Sequence, residues 1–329
     1  MERRRSFKKY ISIAILLGIM VMMILAFSVK SWQNRNGKLN IVCILKIIDD
    51  SDFWTSLIQG AQAAAKEFNV ELTVMGPSSE GDYEAQNKMI RQAIEKHPDA
   101  ILISPSSYTK TAKVAREVVE AGIHLVLVDS DMEESMGATL VATNNFEAGK
   151  KLGLLLKDAL PENPTIGIVS HVKGASTAIE REKGLREGLK KYSSRILPPV
   201  FCNSNYDKAY EVTKKLISEH PEVNAIAGLN EYSAVGAARA VKDLGMEDQI
   251  VMVGFDSSNE EIQLLEAGIF EGIVIQKPFN MGYLSVQKAV EAYHNSAVEP
   301  MVDSGSVAVT KANMFTEENQ KLLFPFWTS

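Results

Sequence analysis

The sequence predicts an α/β protein made of two doubly wound lobes, each with its own parallel sheet. Three observations lead to this fold class. From Leu39 onward, short β-type runs alternate with longer helical patterns. Runs such as AILIS and HLVLVD are apolar at successive positions, as strands are when helices cover both faces of a sheet. The series breaks once, around Ala142-Thr143-Asn144-Asn145, and restarts at Thr165, so two similar sheets fit 329 residues better than a single one. A hydrophobic content of 46% and a charged content of 23% exclude a disordered or fibrous chain.

Taken in order, the elements begin outside this fold. Tyr10 to Val29 carries no charge and, as a helix, is long enough to cross a hydrocarbon core about 30 Å thick. Arg3, Arg4, Arg5, Lys8 and Lys9 precede it and favour a cytoplasmic N-terminus, with the rest of the chain outside the membrane. Residues 1–30 therefore read as a basic tip and transmembrane anchor; a signal peptide cleaved near Ala26-Phe27-Ser28 is the rival reading. The first cysteine is Cys43, inside a strand pattern, which excludes a lipid-linked anchor. Residues 31–38 (SWQNRNGK) form a polar linker. The first thirty residues hold six basic groups and one acidic group, leaving 29 basic and 40 acidic side chains beyond them, a net charge of −11. That balance argues against a nucleic-acid partner for the exported part.

Strands are expected at Leu39–Ile48, Glu71–Met75, Ala100–Ser104, Leu125–Asp129, Thr165–Ser170, Pro199–Cys202, Ala225–Gly228, Ile250–Phe255 and Glu271–Gln276. The segments between them are amphipathic; in Phe53–Phe68, the apolar Phe53, Leu57, Ala61, Ala64, Ala65 and Phe68 keep helical spacing. Cys43 and Cys202, in different halves, read as buried small hydrophobes rather than a disulfide.

Ligands of open α/β sheets sit beyond the carboxyl ends of the strands. Those ends carry Asp49 to Trp54, Ser104-Pro105-Ser106, Asp129-Ser130-Asp131, Ser170-His171, Asn203 to Tyr206, Asn230-Glu231, Asp256-Ser257 and Gln276-Lys277. Carboxylates, amides and aromatics gathered this way suit a sugar, whose hydroxyls both donate and accept and whose C–H face packs on a ring.

These segments carry a family resemblance. DSDFWTSLIQGA (50–61), HLVLVDSD (124–131), ATNNFEAGKKLG (142–153), ASTAIEREKGL (175–185), AIAGLNEYSAVGAARAV (225–241), VMVGFDSSNEE (251–261) and IVIQKPFNMGYLSVQ (273–287) occur in family order. From Asn40 to about Leu323 the chain resembles the periplasmic sugar-binding proteins of the ribose-binding type, relatives of the LacI repressor ligand domain. The resemblance implies two hinged lobes, at 39–143 with 277–303 and at 144–276 with 304–329. It implies a ring-stacking pair at Phe53 and Trp54, a hydroxyl-binding carboxylate at Asp129, a second-lobe aromatic at Tyr206, and polar ligands at Asn230, Asp256 and Gln276. Ser130 stands where the ribose-type pattern has arginine, and the arginine expected two residues before Arg181 is Ile179, which leaves Arg181 as the nearby candidate. The implied partners are a monosaccharide or polyol, and either an ABC permease or a sensor histidine kinase; no cofactor or metal is implied.

Each of these residues also has a plainer reading. Phe53 and Trp54 can pack the first turn of a helix, Asp129, Asn230 and Asp256 can be N-caps, and Tyr206 opens a helix. His97 and His220 precede proline at helix stops, and His171 reads as a surface residue or one behind the cleft. No HExxH, paired CxxC, GxSxG or GxxxxGK[ST] occurs, so a binding protein is expected rather than an enzyme. A LacI-like regulator would need a helix-turn-helix where this chain has its apolar run.

Overall fold

The computed structural model describes residues 37–134 and 136–324. The run Tyr10–Val29, read above as an anchor, lies outside the described residues. Among the described residues no helix is long and apolar enough to cross a membrane.

Twelve strands are described: β1 (Asn40–Ile44), β2 (Glu71–Met75), β3 (Ala100–Ile103), β4 (His124–Val128), β5 (Thr139–Ala142), β6 (Ile166–Ser170), β7 (Val200–Phe201), β8 (Ala225–Gly228), β9 (Val251–Phe255), β10 (Phe270–Gln276), β11 (Met301–Asp303) and β12 (Ser306–Val309). They form two six-stranded sheets, ordered β11-β5-β4-β3-β1-β2 and β12-β10-β9-β8-β6-β7. Every pairing is parallel except β10 with β12. Helices connect them: α1 (Asp52–Glu67), α2 (Tyr83–Ile94), α3 (Ala112–Glu120), α4 (Asn145–Ala159), α5 (Ser176–Gly188), α6 (Tyr206–Glu219), α7 (Glu231–Asp243), α8 (Asn259–Ala267), α9 (Pro278–Tyr293) and α10 (Glu317–Leu323).

Both faces of the central strands are buried, which explains their unbroken apolar runs. In β8, Ile226 joins one core cluster with Met252 and Phe270, while Ala225 and Ala227 join another with Val253, Phe255 and Val274. The first sheet has its own core around Ile44, Ile101, Ile103, Leu125 and Leu127. Two helix pairs approach closely enough to need glycine. A Cβ on Gly60 of α1 would lie 1.9 Å from the Phe279 carbonyl oxygen of α9, and one on Gly184 of α5 would lie 2.0 Å from that of Phe146 of α4.

Among the described residues the chain passes between the sheets three times, at 142–145, 276–278 and 303–306. The passages are tied together: Ser304 N–H donates to the Ala142 carbonyl at 2.9 Å, and Asn144 N–H donates to Asp303 Oδ1 at 3.0 Å. These three adjacent connections join the two sheets.

The first strand is shorter than its apolar pattern predicts, ending at Ile44 rather than Ile48, because Lys46 and the residues after it leave the ladder. Residues 139–142, just before the break and absent from the expected strands, form a paired strand. β11 and β12 carried no strand signal; they are three and four residues long and end their sheets. Cys43 and Cys202 are both free and buried.

Candidate ligand-binding site

The carboxyl ends of both sheets face one narrow cavity of about 30 Å³. Its walls include Phe53, Trp54, Asp129, Arg181, Asn230, Asp256 and Gln276, so seven of the nine sequence-derived candidates meet there. Ser130 and Tyr206 do not line it. Ser130 accepts from Lys46 Nζ at 2.8 Å and donates to Asp129 Oδ2 at 2.7 Å, while the Tyr206 hydroxyl donates to Glu231. Both therefore support a wall residue.

The first lobe contributes a buried charge network. Lys46, just past β1, places Nζ 2.9 Å from Asp129 Oδ2 and 3.0 Å from Glu80 Oε1. With Ser130, these partners use all three ammonium protons. Burial alone would lower the Lys46 pKa, but the charges of Asp129 and Glu80 and their hydrogen bonds outweigh it and hold the ammonium above the ordinary lysine value. Burial likewise pushes Asp129 up, and Lys46, Arg181 and Ser130 overcome it and hold the carboxylate below its ordinary value. All of the hydrogen bonds to Asp129 from described side chains fall on Oδ2: Lys46, Ser130, and Ser104 Oγ at 3.3 Å. Asp129 is not an N-cap; it follows β4 with φ of 63° and leads toward β5.

The second lobe's wall is built differently. Asn230 caps α7, its Oδ1 accepting from Ser233 N–H at 3.0 Å, so the plain reading and the wall position hold together; Nδ2 donates to Ser204 Oγ at 3.4 Å and keeps a second hydrogen for a ligand. Asp256 follows β9 and is not a cap, since Ser258 caps α8. Gln276 Nε2 donates to Asp256 Oδ1 at 2.7 Å, and Glu231 N–H donates to Oδ2 at 3.0 Å. Burial raises the Asp256 pKa despite Arg181, Gln276 and the Glu231 amide. Arg181 stacks 3.8 Å from the centre of the Phe255 ring, donates to Asn145 Oδ1 and to the Leu229 carbonyl, both at 2.8 Å, and so brings a guanidinium to the wall. Ile179, at the arginine position of the ribose-type pattern, lines a neighbouring recess instead.

Lys46, Glu80, His171, Thr177, Glu231 and Tyr232 complete the wall. His171 and Glu231 stand at strand ends singled out from the sequence, and Lys46 is signalled by a lone lysine inside the apolar run IVCILKII. Glu80 sits in a polar loop, and its burial comes from contacts distant in sequence. His171 is buried, not a surface residue: Nε2 lies 2.8 Å from Thr177 Oγ1. Burial, then the charges of Arg181 and Lys46, hold its pKa well below the ordinary value, so the ring is neutral. Phe53 and Trp54 meet edge to face with ring centres 4.9 Å apart; Trp54 is 3% exposed, whereas Phe53 is half-buried at the cavity.

Direct contacts cross the cleft and define a closed conformation. Tyr232 donates to Asp49, Ser204 donates to Glu80, Asn259 N–H donates to Asp52 Oδ2 at 2.9 Å, and Asp131 N–H donates to Ser176 Oγ at 2.8 Å. Among the described residues no His, Cys, Asp and Glu group is arranged to hold a metal ion.

Comparison with known proteins agrees with this architecture. Residues 41–295 match the family model described as periplasmic binding protein domain. The ribose import binding protein of Bacillus subtilis is 22% identical over 301 residues, covering 90% of this chain and 97% of its own length. The D-allose-binding periplasmic protein of Escherichia coli is 26% identical over 268 residues, covering 78% and 86%. Among solved structures, a sugar transporter from Clostridium phytofermentans is 44% identical with a TM-score of 0.80, covering 83% of this chain and all of its own. An ABC transporter solute binding protein from Agrobacterium vitis, with bound D-fucose, is 28% identical with a TM-score of 0.83, covering 87% of this chain and all of its own.

Proposed function

The chain belongs to the periplasmic binding protein domain family, and from that premise we propose that it is an extracytoplasmic receptor that closes its two lobes on one monosaccharide and presents it to an ABC sugar transporter. The observation that carries this reading is the cavity wall itself. Asp129 from one lobe and Asn230, Asp256 and Gln276 from the other bracket one small space beside the Phe53 ring. A carboxylate accepts from two adjacent hydroxyls, an amide gives and accepts, and the ring covers a sugar's C–H face. The relatives named for ribose and allose, and the one holding D-fucose, support a neutral monosaccharide as the ligand class.

Binding does no chemistry on the ligand in this reading. A sugar that touches both walls favours the closed form by its differential affinity for that form, and closure about the three connections is the output. Thermal-shift measurement against D-ribose, D-allose, D-arabinose, D-fucose and myo-inositol tests the proposal. A ligand of the native state raises the melting temperature; no shift with any monosaccharide or polyol contradicts it.

A second reading is favoured by one sequence observation. The uncharged run Tyr10–Val29 with no cysteine close behind it suits a permanent tether beside a sensor histidine kinase. Deleting the transporter genes separates the two: lost uptake supports delivery, while unchanged uptake with a kinase-dependent transcriptional response to the sugar supports sensing.

A further inference from the structure

Glu231 stands in the first turn of α7, is 3% exposed, and lines the cavity as well as two adjoining recesses. Its two carboxyl oxygens have different surroundings. Oε1 accepts from the Tyr206 hydroxyl at 2.5 Å, whereas Oε2 is buried and has no hydrogen-bond partner among the described residues. The same residue's N–H holds Asp256 Oδ2 at 3.0 Å, which brings a second carboxyl group against it. A buried oxygen without a donor, beside another carboxyl group, is an unfavourable place for negative charge and a suitable one for a proton.

We infer that Glu231 is a specificity-determining residue of the cavity: in the closed form its carboxyl group is protonated and donates a hydrogen bond from Oε2 to an oxygen of the bound sugar, so that binding takes up a proton. This deepens the receptor reading and rests on it.

The groups around Glu231 are consistent with the neutral acid. Burial is the largest influence and, with the charges of Asp256 and Asp52, raises its pKa to about 7 against the opposing Tyr206 hydroxyl and Phe53 amide. From α8, Glu261 adds a further buried carboxyl group. The cation along α7, Arg239, is engaged with Glu260 through hydrogen bonds of 2.8 and 2.5 Å. On the opposite wall Lys46 is committed to Glu80, Asp129 and Ser130. Because Tyr206 already donates to Oε1, the acidic proton belongs on Oε2. Its partner is an acceptor, a hydroxyl or ring oxygen.

Calorimetric titration of the full chain with D-ribose, D-allose, D-arabinose and D-fucose, in buffers of different ionisation enthalpy, reads the proton directly. The expected result is uptake approaching one proton, with affinity weakening toward about tenfold per pH unit between about pH 5 and about pH 7. Glu231→Ala weakens binding by about tenfold at the acid end; Glu231→Gln, whose amide keeps both an acceptor for Tyr206 and a donor, recovers most of that loss and abolishes the uptake. Binding without proton uptake overturns the inference, as does uptake that persists in Glu231→Gln, which places the proton on Asp256 or Glu261. Binding of none of the sugars overturns the receptor reading, and the inference falls with it.

Discussion

Asp129 and Asp256 are counterparts in the two lobes. Each is the first residue after the fourth strand of its sheet in chain order, β4 or β9, and each has a left-handed backbone, with φ of 63° and 97°. Each donates its N–H to the following strand at 2.9 Å, Asp129 to Val141 and Asp256 to Val274. Non-glycine residues hold such φ values at a cost of about 1–3 kcal/mol, and sites of function are where that cost is commonly kept. The same strand-end geometry thus aims two carboxyl groups into one cavity from opposite sides.

Replacing either carboxyl group is therefore expected to weaken sugar binding. Asp129→Asn and Asp256→Asn each lose about 1.5–3 kcal/mol, the scale of a charge-assisted hydrogen bond. Isothermal titration with a sugar that binds the wild type checks this, and unchanged affinity in both variants contradicts it.

Lys46→Met leaves Glu80 and Asp129 buried without their cation. Removing one partner of a buried ion pair destabilises by about 3–5 kcal/mol. Asp129 then loses the main influence holding its pKa down, so the deficit shrinks as pH falls and its carboxyl group protonates. Urea denaturation near neutral pH and near pH ~4.5 measures both effects; an equal deficit at both contradicts the network.

The two aromatics of α1 separate by role. Trp54 is 3% exposed and packed beside Phe53, so Trp54→Ala lowers stability by about 3–5 kcal/mol. Phe53→Ala acts on the ligand instead, weakening binding by about 1.5–3 kcal/mol with a smaller change in melting temperature. Melting curves and titrations of the two variants side by side check the division.

Tyr232→Phe removes the hydroxyl that bridges the cleft to Asp49. The closed form loses one bond to a charged group, about 1.5–3 kcal/mol, while each lobe keeps its core. Titration is expected to show sugar binding weaker by that amount with an unchanged melting temperature without ligand; unchanged affinity contradicts the latch.

Stability should fall as pH rises from the ordinary carboxylate range through neutrality. Glu261 and Glu231 have raised pKa values in the folded protein, well above the ordinary value for the first and about 7 for the second, burial being the first cause of each. The native state then binds more protons than the unfolded state in that window, at about 1.4 kcal/mol per pH unit for each group that stays protonated. Asp129 has the opposite sign, its depressed value withdrawing stability only below the ordinary carboxylate range. Glu261→Gln, which keeps an acceptor for Ser258, is expected to raise the denaturation midpoint at about pH 8 and to leave it unchanged at about pH 5.

The sheets were legible because the central strands bury both faces: Ala225–Gly228 and Val251–Phe255 show this as runs without a polar residue. Met301–Asp303 and Ser306–Val309 were not legible, since short terminal strands carry little apolar pattern and owe their place to the crossing between the sheets. Within the site, the polar ends of strands pointed to Asp129, Asn230 and Asp256. They did not reveal Glu80, whose burial depends on Lys46 in its own lobe and Ser204 in the other. Nor did they reveal that Tyr206 works through Glu231. Contacts between residues 25 to 124 positions apart leave no local spacing to read.

The most direct test of the central claim is a crystal structure of the protein grown with a monosaccharide from the panel. The account predicts one sugar ring between the lobes, its C–H face on Phe53 and its hydroxyls within hydrogen-bond distance of Asp129, Asn230 and Asp256. A ring bound elsewhere, or a closed cavity that excludes every sugar offered, contradicts it.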